Sequence, residues 1–415
     1  MCTAPKFNTM RNLFFILFIC ANLSAFGQSN NNENIPATNS NTIAPDVKFI
    51  KVEVDTLVPQ EEYSKELEKK QEKAVTKKSK SLSDSESLNE QSIQSSAAVS
   101  ESAVKAISIS KTQANQNRTQ RSPSPQFQQQ MDDGVKTLET YAPESFEFHF
   151  YKYLAGNYNI QLAEHLLKAE QLKPNNSDVQ IQKAAYYIIL SDSVNALSYL
   201  KKIEQSTRIS KEALAYAEDI VLSAPENGTL ITHGFDDSYA SYYIQFANKQ
   251  RSDLTIVSLD FLQSDVFRDN LKKKGYLLPE SKTIDVNYLK SFCELNDKKS
   301  IAISLTTPKE YLSAVSQNIF IVGLVAEYHK DQTFNNFYRN DYLWNEVLQK
   351  KLVNSAVTEK GRQLSANYLP MMIYLSKIYG EVKELEKQKE VEKAIEKVAV
   401  QSNKYEQVRT VKKSF

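Results

Sequence analysis

Cysteine is nearly absent from this chain: there are three in 415 residues, Cys2, Cys20 and Cys293, and two of them fall before residue 28. If the leader is removed, Cys293 stands alone, which excludes an intramolecular disulfide and any thiolate zinc site. Histidine is as sparse, with four residues (His149, His165, His233, His329) too scattered in sequence to suggest a ligand cluster. The nine glycines form no dinucleotide fingerprint, phosphate loop or nucleophile elbow, and no zinc-helix motif occurs. Charge excess is missing too: 51 Lys and Arg against 50 Asp and Glu give +1, which argues against a nucleic-acid partner. No apolar run approaches the ~20 residues of a membrane span. The sequence thus predicts no catalytic constellation, no metal and no cofactor.

What is present begins with an address. Met10-Arg11-Asn12 is a short basic start, Leu13 to Leu23 is an apolar run, and Ser24-Ala25-Phe26-Gly27 places small residues where a signal peptidase reads. Residues 1–27 are therefore expected to be a signal peptide cleaved before Gln28, with export to the periplasm or beyond; lipidation at Cys20 is the alternative. Residues 28–134 are rich in Asn, Ser, Gln, Lys and Glu and read as a disordered linker, because scattered apolar residues cannot offset the entropy of ordering. Within it, Asp46–Asp55 alternates strand formers and Glu61–Lys80 is a charged stretch with helical potential.

From residue 135 to 226 the texture becomes helical. Phe146, Phe150, Tyr153 and Leu154 precede a Gly156-Asn157-Tyr158 turn, and Leu162, Leu166, Ala169 and Leu172 continue to Lys173-Pro174-Asn175-Asn176. The turn, the small residue on the second helix and the closing Pro-Asn-Asn resemble a tetratricopeptide hairpin. A second pair is expected over 179–190 and 194–203. Tyr151, Tyr153, Tyr158 and Tyr187 fall in this region and are candidates for a protein-binding face, since Tyr is enriched in interface cores; filling of helix contacts is the plainer account.

Residues 227–330 alternate strands and helices: Thr229–Thr232, a helix from Ser238, Leu254–Leu259, a helix capped by Ser264-Asp265 and ended by Gly275, a helix over 285–295, Ile301–Leu305 and Ile319–Val325. This predicts a Rossmann-like α/β domain with a small, mainly parallel sheet. A helical hairpin split by Gly380 is expected over 331–402 and a polar tail over 403–415. Cys293 reads as a buried small hydrophobe.

The turn after the first strand carries His233, Asp236 and Asp237 at the edge where open α/β sheets bind ligands. Their oxygens suit a sugar hydroxyl or a divalent ion, while Asp236 or Asp237 would equally cap the following helix. The run from Asn227 to Tyr243, with Thr232-His233-Gly234-Phe235-Asp236-Asp237 at its centre, resembles the "N-x-I-L-F-T-N-G-D-N-D-T-F-P-L-W-Y" segment of bacterial protein O-mannosyltransferase-like membrane proteins. Arg251 to Leu262 resembles that family's next strand, and Lys299–Ile303 and Gly323–Tyr328 later ones, from about Tyr216 onward. The resemblance implies the soluble part of such a protein. It departs at His233 and Phe235, where the family has Asn and Asp, and this chain lacks the membrane region that would house catalysis. The expected function is a non-catalytic envelope protein that binds a protein partner; the alternative is an accessory of envelope glycosylation that binds glycan or a membrane glycosyltransferase.

Overall fold

The computed structural model describes residues 85–331 and 334–413. The expected signal peptide, Asp46–Asp55 and Glu61–Lys80 lie outside the described residues. One compact unit takes in the described residues from Ala98 onward; of the other, residues 30–97, only the start of the first helix is described.

Helix α1 (Ser85–Gln116) is followed by an extended strap and by α2 (Pro125–Tyr141), where Ser124 accepts the Phe127 N–H as N-cap and Pro125 occupies the first turn. Ala103 and Ile107 of α1 bury against Met131, Val135 and Leu138 of α2 and Phe148 and Ala155 of α3 (Phe146–Ala155). Gly134 permits this approach, since a Cβ there would come within 2.5 Å of the Ile107 side chain. The linker reading therefore fails from residue 85 onward. Its apolar residues are few, but they recur one turn apart on two helices, and composition alone does not register spacing.

Helix α3 pairs with α4 (Ala163–Leu172), and α5 (Ser177–Ile189) with α6 (Ser193–Gln205). Phe150, Tyr153, Leu166, Ala169 and Val179 form the core of the first pair and its junction with α5. Helix α7 (Lys211–Ser223) leads into the sheet and packs on the helix that follows the first strand.

The sheet has five strands in the order β2-β1-β3-β5-β4. Strand β1 (Thr229–Thr232) is flanked in parallel by β2 (Thr255–Ser258) and β3 (Ile301–Ser304). Between them run α8 (Gly234–Ala247), α9 (Asp265–Lys273) and α10 (Val286–Leu295), and α11 (Lys309–Ala314) follows β3. The run Ile319–Val325, expected as one strand, is instead the start of a hairpin of β4 (Ile319–Val322) and β5 (Val325–Tyr328), with β5 antiparallel to both β3 and β4. The sheet is thus mixed rather than mainly parallel. Gly323 is what breaks the run: it has φ +58, the left-handed conformation a two-residue hairpin needs at its first central position. Cys293 is buried as expected, and burial raises its thiol pKa.

The C-terminal helices are α12 (Phe337–Tyr342), α13 (Lys351–Asn354), α14 (Glu359–Ser365), α15 (Leu369–Glu381), α16 (Leu385–Gln401) and α17 (Tyr405–Lys412). The hairpin of α15 and α16 turns at Lys383, φ +64, not at Gly380, which stays inside α15. The expected polar tail forms α17, because Val408 and Val411, three residues apart, bury against the core. Asp219 of α7 ties these helices in: its carboxylate accepts the Gln349 N–H at 2.7 Å, the Lys350 N–H at 2.9 Å and the Tyr368 hydroxyl at 2.6 Å.

Gly323→Ala tests the hairpin. A Cβ would lie 2.2 Å from the Ser223 hydroxyl on a left-handed backbone, so urea denaturation should show a loss of about 1–3 kcal/mol. An unchanged midpoint would mean that the turn tolerates a side chain.

Candidate functional site

The carboxyl ends of β1, β2 and β3 meet where the chain turns from one side of β1 to the other, the usual ligand crevice of an open α/β sheet. His233 leaves β1 in extended conformation (φ −139) and serves as N-cap residue of α8. Gly234, with φ +74, turns the chain into the helix. The helix starts four residues before the expected Ser238, so Asp236 and Asp237 lie in its first turn, where negative charge suits the exposed N–H groups.

Each acid there already has its partners. Asp237 is buried; its carboxylate accepts the His233 backbone N–H at 2.9 Å and the Ser304 hydroxyl at 3.0 Å. Burial pushes its pKa up to about 6, against the pull of those hydrogen bonds. Asp236, more exposed, pairs with Lys360 of α14 at 2.6 Å. Hydroxyls of Thr232, Ser238 and Ser258 form a buried chain, each link 2.9 Å, that fastens α8 to β1 and β2. Neither aspartate is the N-cap, a position His233 holds; Asp237 reaches back from the first turn to the His233 N–H, and Asp236 is spent on Lys360. Among the described residues no three His, Cys, Asp or Glu side chains gather at metal-holding positions.

The central pair of the crevice was not visible in the sequence. Asp260, just beyond β2, accepts the Gly234 N–H at 2.9 Å through one oxygen and the Arg121 Nε–H at 2.7 Å through the other. Both side chains are largely buried, at 6% and 12% exposure. Burial would raise the Asp260 pKa, but the Arg121 charge, with the hydrogen bonds from Arg121 and the Gly234 N–H, outweighs it and holds the carboxyl below its usual range. Arg121, whose pKa burial would lower, is in turn raised by Asp260. It comes from the strap between α1 and α2, which is stitched over the sheet: Arg121 N–H donates to Ile284 O at 2.7 Å, Val286 N–H to Thr119 O at 3.1 Å and Ile284 N–H to the Ser122 hydroxyl at 3.0 Å. Arg118 adds an ion pair with Glu310 at 3.0 Å. The one sequence signal was two arginines three positions apart in an otherwise uncharged stretch, Arg118-Thr119-Gln120-Arg121 being flanked by Asn and Ser.

His233 lies beneath this pair, 6% exposed, and its Nε2 has no hydrogen-bond partner among the described residues. Burial first, and then the Arg121 charge, depress its pKa to about 3, so the ring is neutral at physiological pH. A neutral imidazole, a guanidinium-locked carboxylate and a carboxyl engaged in hydrogen bonds fill the crevice with the chain's own groups.

The four candidate tyrosines do not form one exposed face. Tyr153 is fully buried, Tyr158 packs edge-on to Phe261 at the sheet, and Tyr151 hydrogen-bonds Ser108 of α1 at 3.0 Å. Tyr187 stacks on Tyr199 beside the buried Lys183, whose ammonium pairs with Glu170 at 3.0 Å. These rings serve helix contacts, the plainer of the two accounts.

Residues 213–410 match the family model of TMEM260-associated domain 2. No curated protein and no solved structure shows significant similarity to the chain.

Two measurements probe the crevice. Arg121→Ala leaves Asp260 buried without its counter-ion and should cost about 3–5 kcal/mol, while Arg121→Met combined with Asp260→Asn should recover much of it; a small loss in the single variant would mean that the strap is loosely held. The two perturbed groups also give opposed pH slopes. His233, with folded pKa depressed from 6.5 to about 3, contributes stability that is present above about 6.5 and is lost as pH falls toward 3. Asp237, with pKa raised from 3.8 to about 6, contributes stability that is present below about 4 and is lost as pH rises through 6. Unfolding curves of Asp237→Asn should therefore rise more steeply with pH between 4 and 6 than those of the parent, and curves of His233→Gln should fall. Parallel curves would refute both assignments.

Proposed function

We propose that this chain is a non-enzymatic, exported cell-envelope protein that acts as an interaction or assembly factor, docking a protein partner through tetratricopeptide-like hairpins rigidly joined to an α/β body. The observation that carries this reading is the closure of the sheet's carboxyl-end crevice by Arg121 and Asp260, which occupies with internal contacts the place where a substrate of such a fold would bind. The hairpins supply the complementary feature. Ala169 and Ala196 are buried where their helices approach their neighbours, in keeping with tetratricopeptide packing. Leu167, Leu172, Leu190 and Val194 are exposed along the same helices, offering apolar anchorage for a partner. Export follows from the leader that ends before Gln28.

A second reading is favoured by the match over residues 213–410 together with the O-mannosyltransferase-like segments at Asn227–Tyr243 and Arg251–Leu262. In it the partner is an envelope glycosyltransferase or its glycan, and this chain is an accessory without chemistry of its own. That step is fold-level analogy, since function resides in sites rather than folds.

Crosslinking in the native envelope followed by mass spectrometry tests both, using the full chain and one lacking residues 28–84, a cut that spares α1 and the strap. Defined crosslinks from α3–α6 to one protein are the expected outcome, and their persistence in the shortened chain would place recognition in the folded unit. A glycosyltransferase as that protein, with altered envelope glycoproteins in a deletion strain, would select the second reading. Absence of crosslinks above background in both chains would overturn the proposal.

A further inference from the structure

A pocket of about 140 Å³ opens at the free edge of β2, where the α/β region meets the turn between α5 and α6. Its floor is buried and apolar, with Ile188, Tyr242, Ile256, Phe267 and Leu271. Its rim is exposed and polar: Ser191, Ser193 and Lys274. Two of its walls are joined, because Asn270 of α9 donates to Ile189 O at 2.9 Å and locks α9 to the end of α5. A cavity of about 150 Å³ with such apolar walls accommodates a benzene ring, so the space suits one Leu- or Phe-sized group.

The rim decides what that group should carry. Helix α9 ends in Lys272-Lys273-Lys274; Lys272 is paired with Asp269, whereas the Lys274 ammonium has no carboxylate partner among the described residues. No acidic residue lines the pocket, and Asp192, between the rim residues Ser191 and Ser193 in sequence, is spent on Asn195, accepting its N–H at 3.1 Å and its amide at 2.6 Å. At the open edge of β2 the Ile256 carbonyl already accepts the Tyr242 hydroxyl at 2.8 Å, and just before the strand Leu254 O accepts the Gln245 amide at 2.9 Å, so two acceptors of a strand-pairing template are occupied. Recognition there falls to side chains.

We propose that this pocket is a binding site for an apolar side chain borne next to a carboxylate, the apolar group on the floor and the carboxylate against Lys274. The same chemistry belongs to a free acylated amino acid and to the C-terminal residue of a peptide. The site goes beyond the docking function proposed above and does not depend on it.

The test titrates the full chain with N-acetyl-leucine, N-acetyl-phenylalanine, their amides and a pentapeptide ending in Leu, followed by NMR chemical shifts. The acids should bind saturably at millimolar concentration, and about two- to fivefold more tightly than the amides, the worth of one exposed ion pair. Lys274→Ala should erase that difference without weakening the amides, and Ser193→Trp, at an exposed position, should block all of them with an unchanged thermal midpoint. Tighter binding of the pentapeptide than of N-acetyl-leucine assigns the site to a peptide terminus, and equal binding assigns it to a free acid. No saturable binding, equal affinity for acid and amide, or binding undiminished by Ser193→Trp would overturn the proposal.

Discussion

The ion pair between Arg121 and Asp260 is the contact on which the arrangement of the rest depends. Asp260 places a negative charge at the first N–H of α8, a favourable position for an anion at a helix start. A carboxylate buried there is costly unless a cation is brought to it in good geometry. The chain meets that need by carrying Arg121 across the crevice on the strap, and the strap is anchored at both ends: α1 and α2 bury Ile107 and Met131 together on one side, and the backbone bonds to Ile284 and Val286 hold it on the other. The N-terminal helices are therefore part of the α/β unit's electrostatics as well as of its packing.

This closure decides the character of the crevice. In an open α/β sheet the helix start and the strand ends present unsatisfied donors to a ligand. Here Gly234 donates to Asp260, His233 donates its backbone N–H to Asp237, and Ser304 donates to Asp237 as well. An anion entering the site would have to displace Asp260 from the helix and strip Arg121 of its partner, leaving two buried charges to be solvated again. His233 is held neutral by the same surroundings, and so adds no positive charge that could compensate.

Much of the fold was legible because it rests on local signals. The apolar spacing from Phe146 to Leu172 and over 179–190 and 194–203 gave α3 to α6, and the short β-branched runs gave β1, β2 and β3. Two errors share a cause. Ile319–Val325 reads as one apolar run, and only Gly323, whose role depends on positive φ, marks the hairpin. Residues 85–134 read as linker because burial there depends on few residues at helical spacing and on one arginine whose partner is 139 positions away. The crevice was half legible: the position of His233, Asp236 and Asp237 followed from strand order, but the partners of the two aspartates, Ser304 and Lys360, lie far along the chain, and no local pattern announces a long-range pair.

The matched span, 213–410, begins in α7 and closes on itself, since Asp219 of α7 binds Gln349, Lys350 and Tyr368 in the C-terminal helices. It contains Asp260, His233 and Asp237, and it does not contain Arg121. A chain consisting of the matched span alone would carry a carboxylate at the start of α8 with no counter-ion, a site open to cations or hydroxyls. The segment before residue 213 supplies Arg121 and so closes that opening from outside the matched span, which makes the N-terminal helices part of the crevice itself.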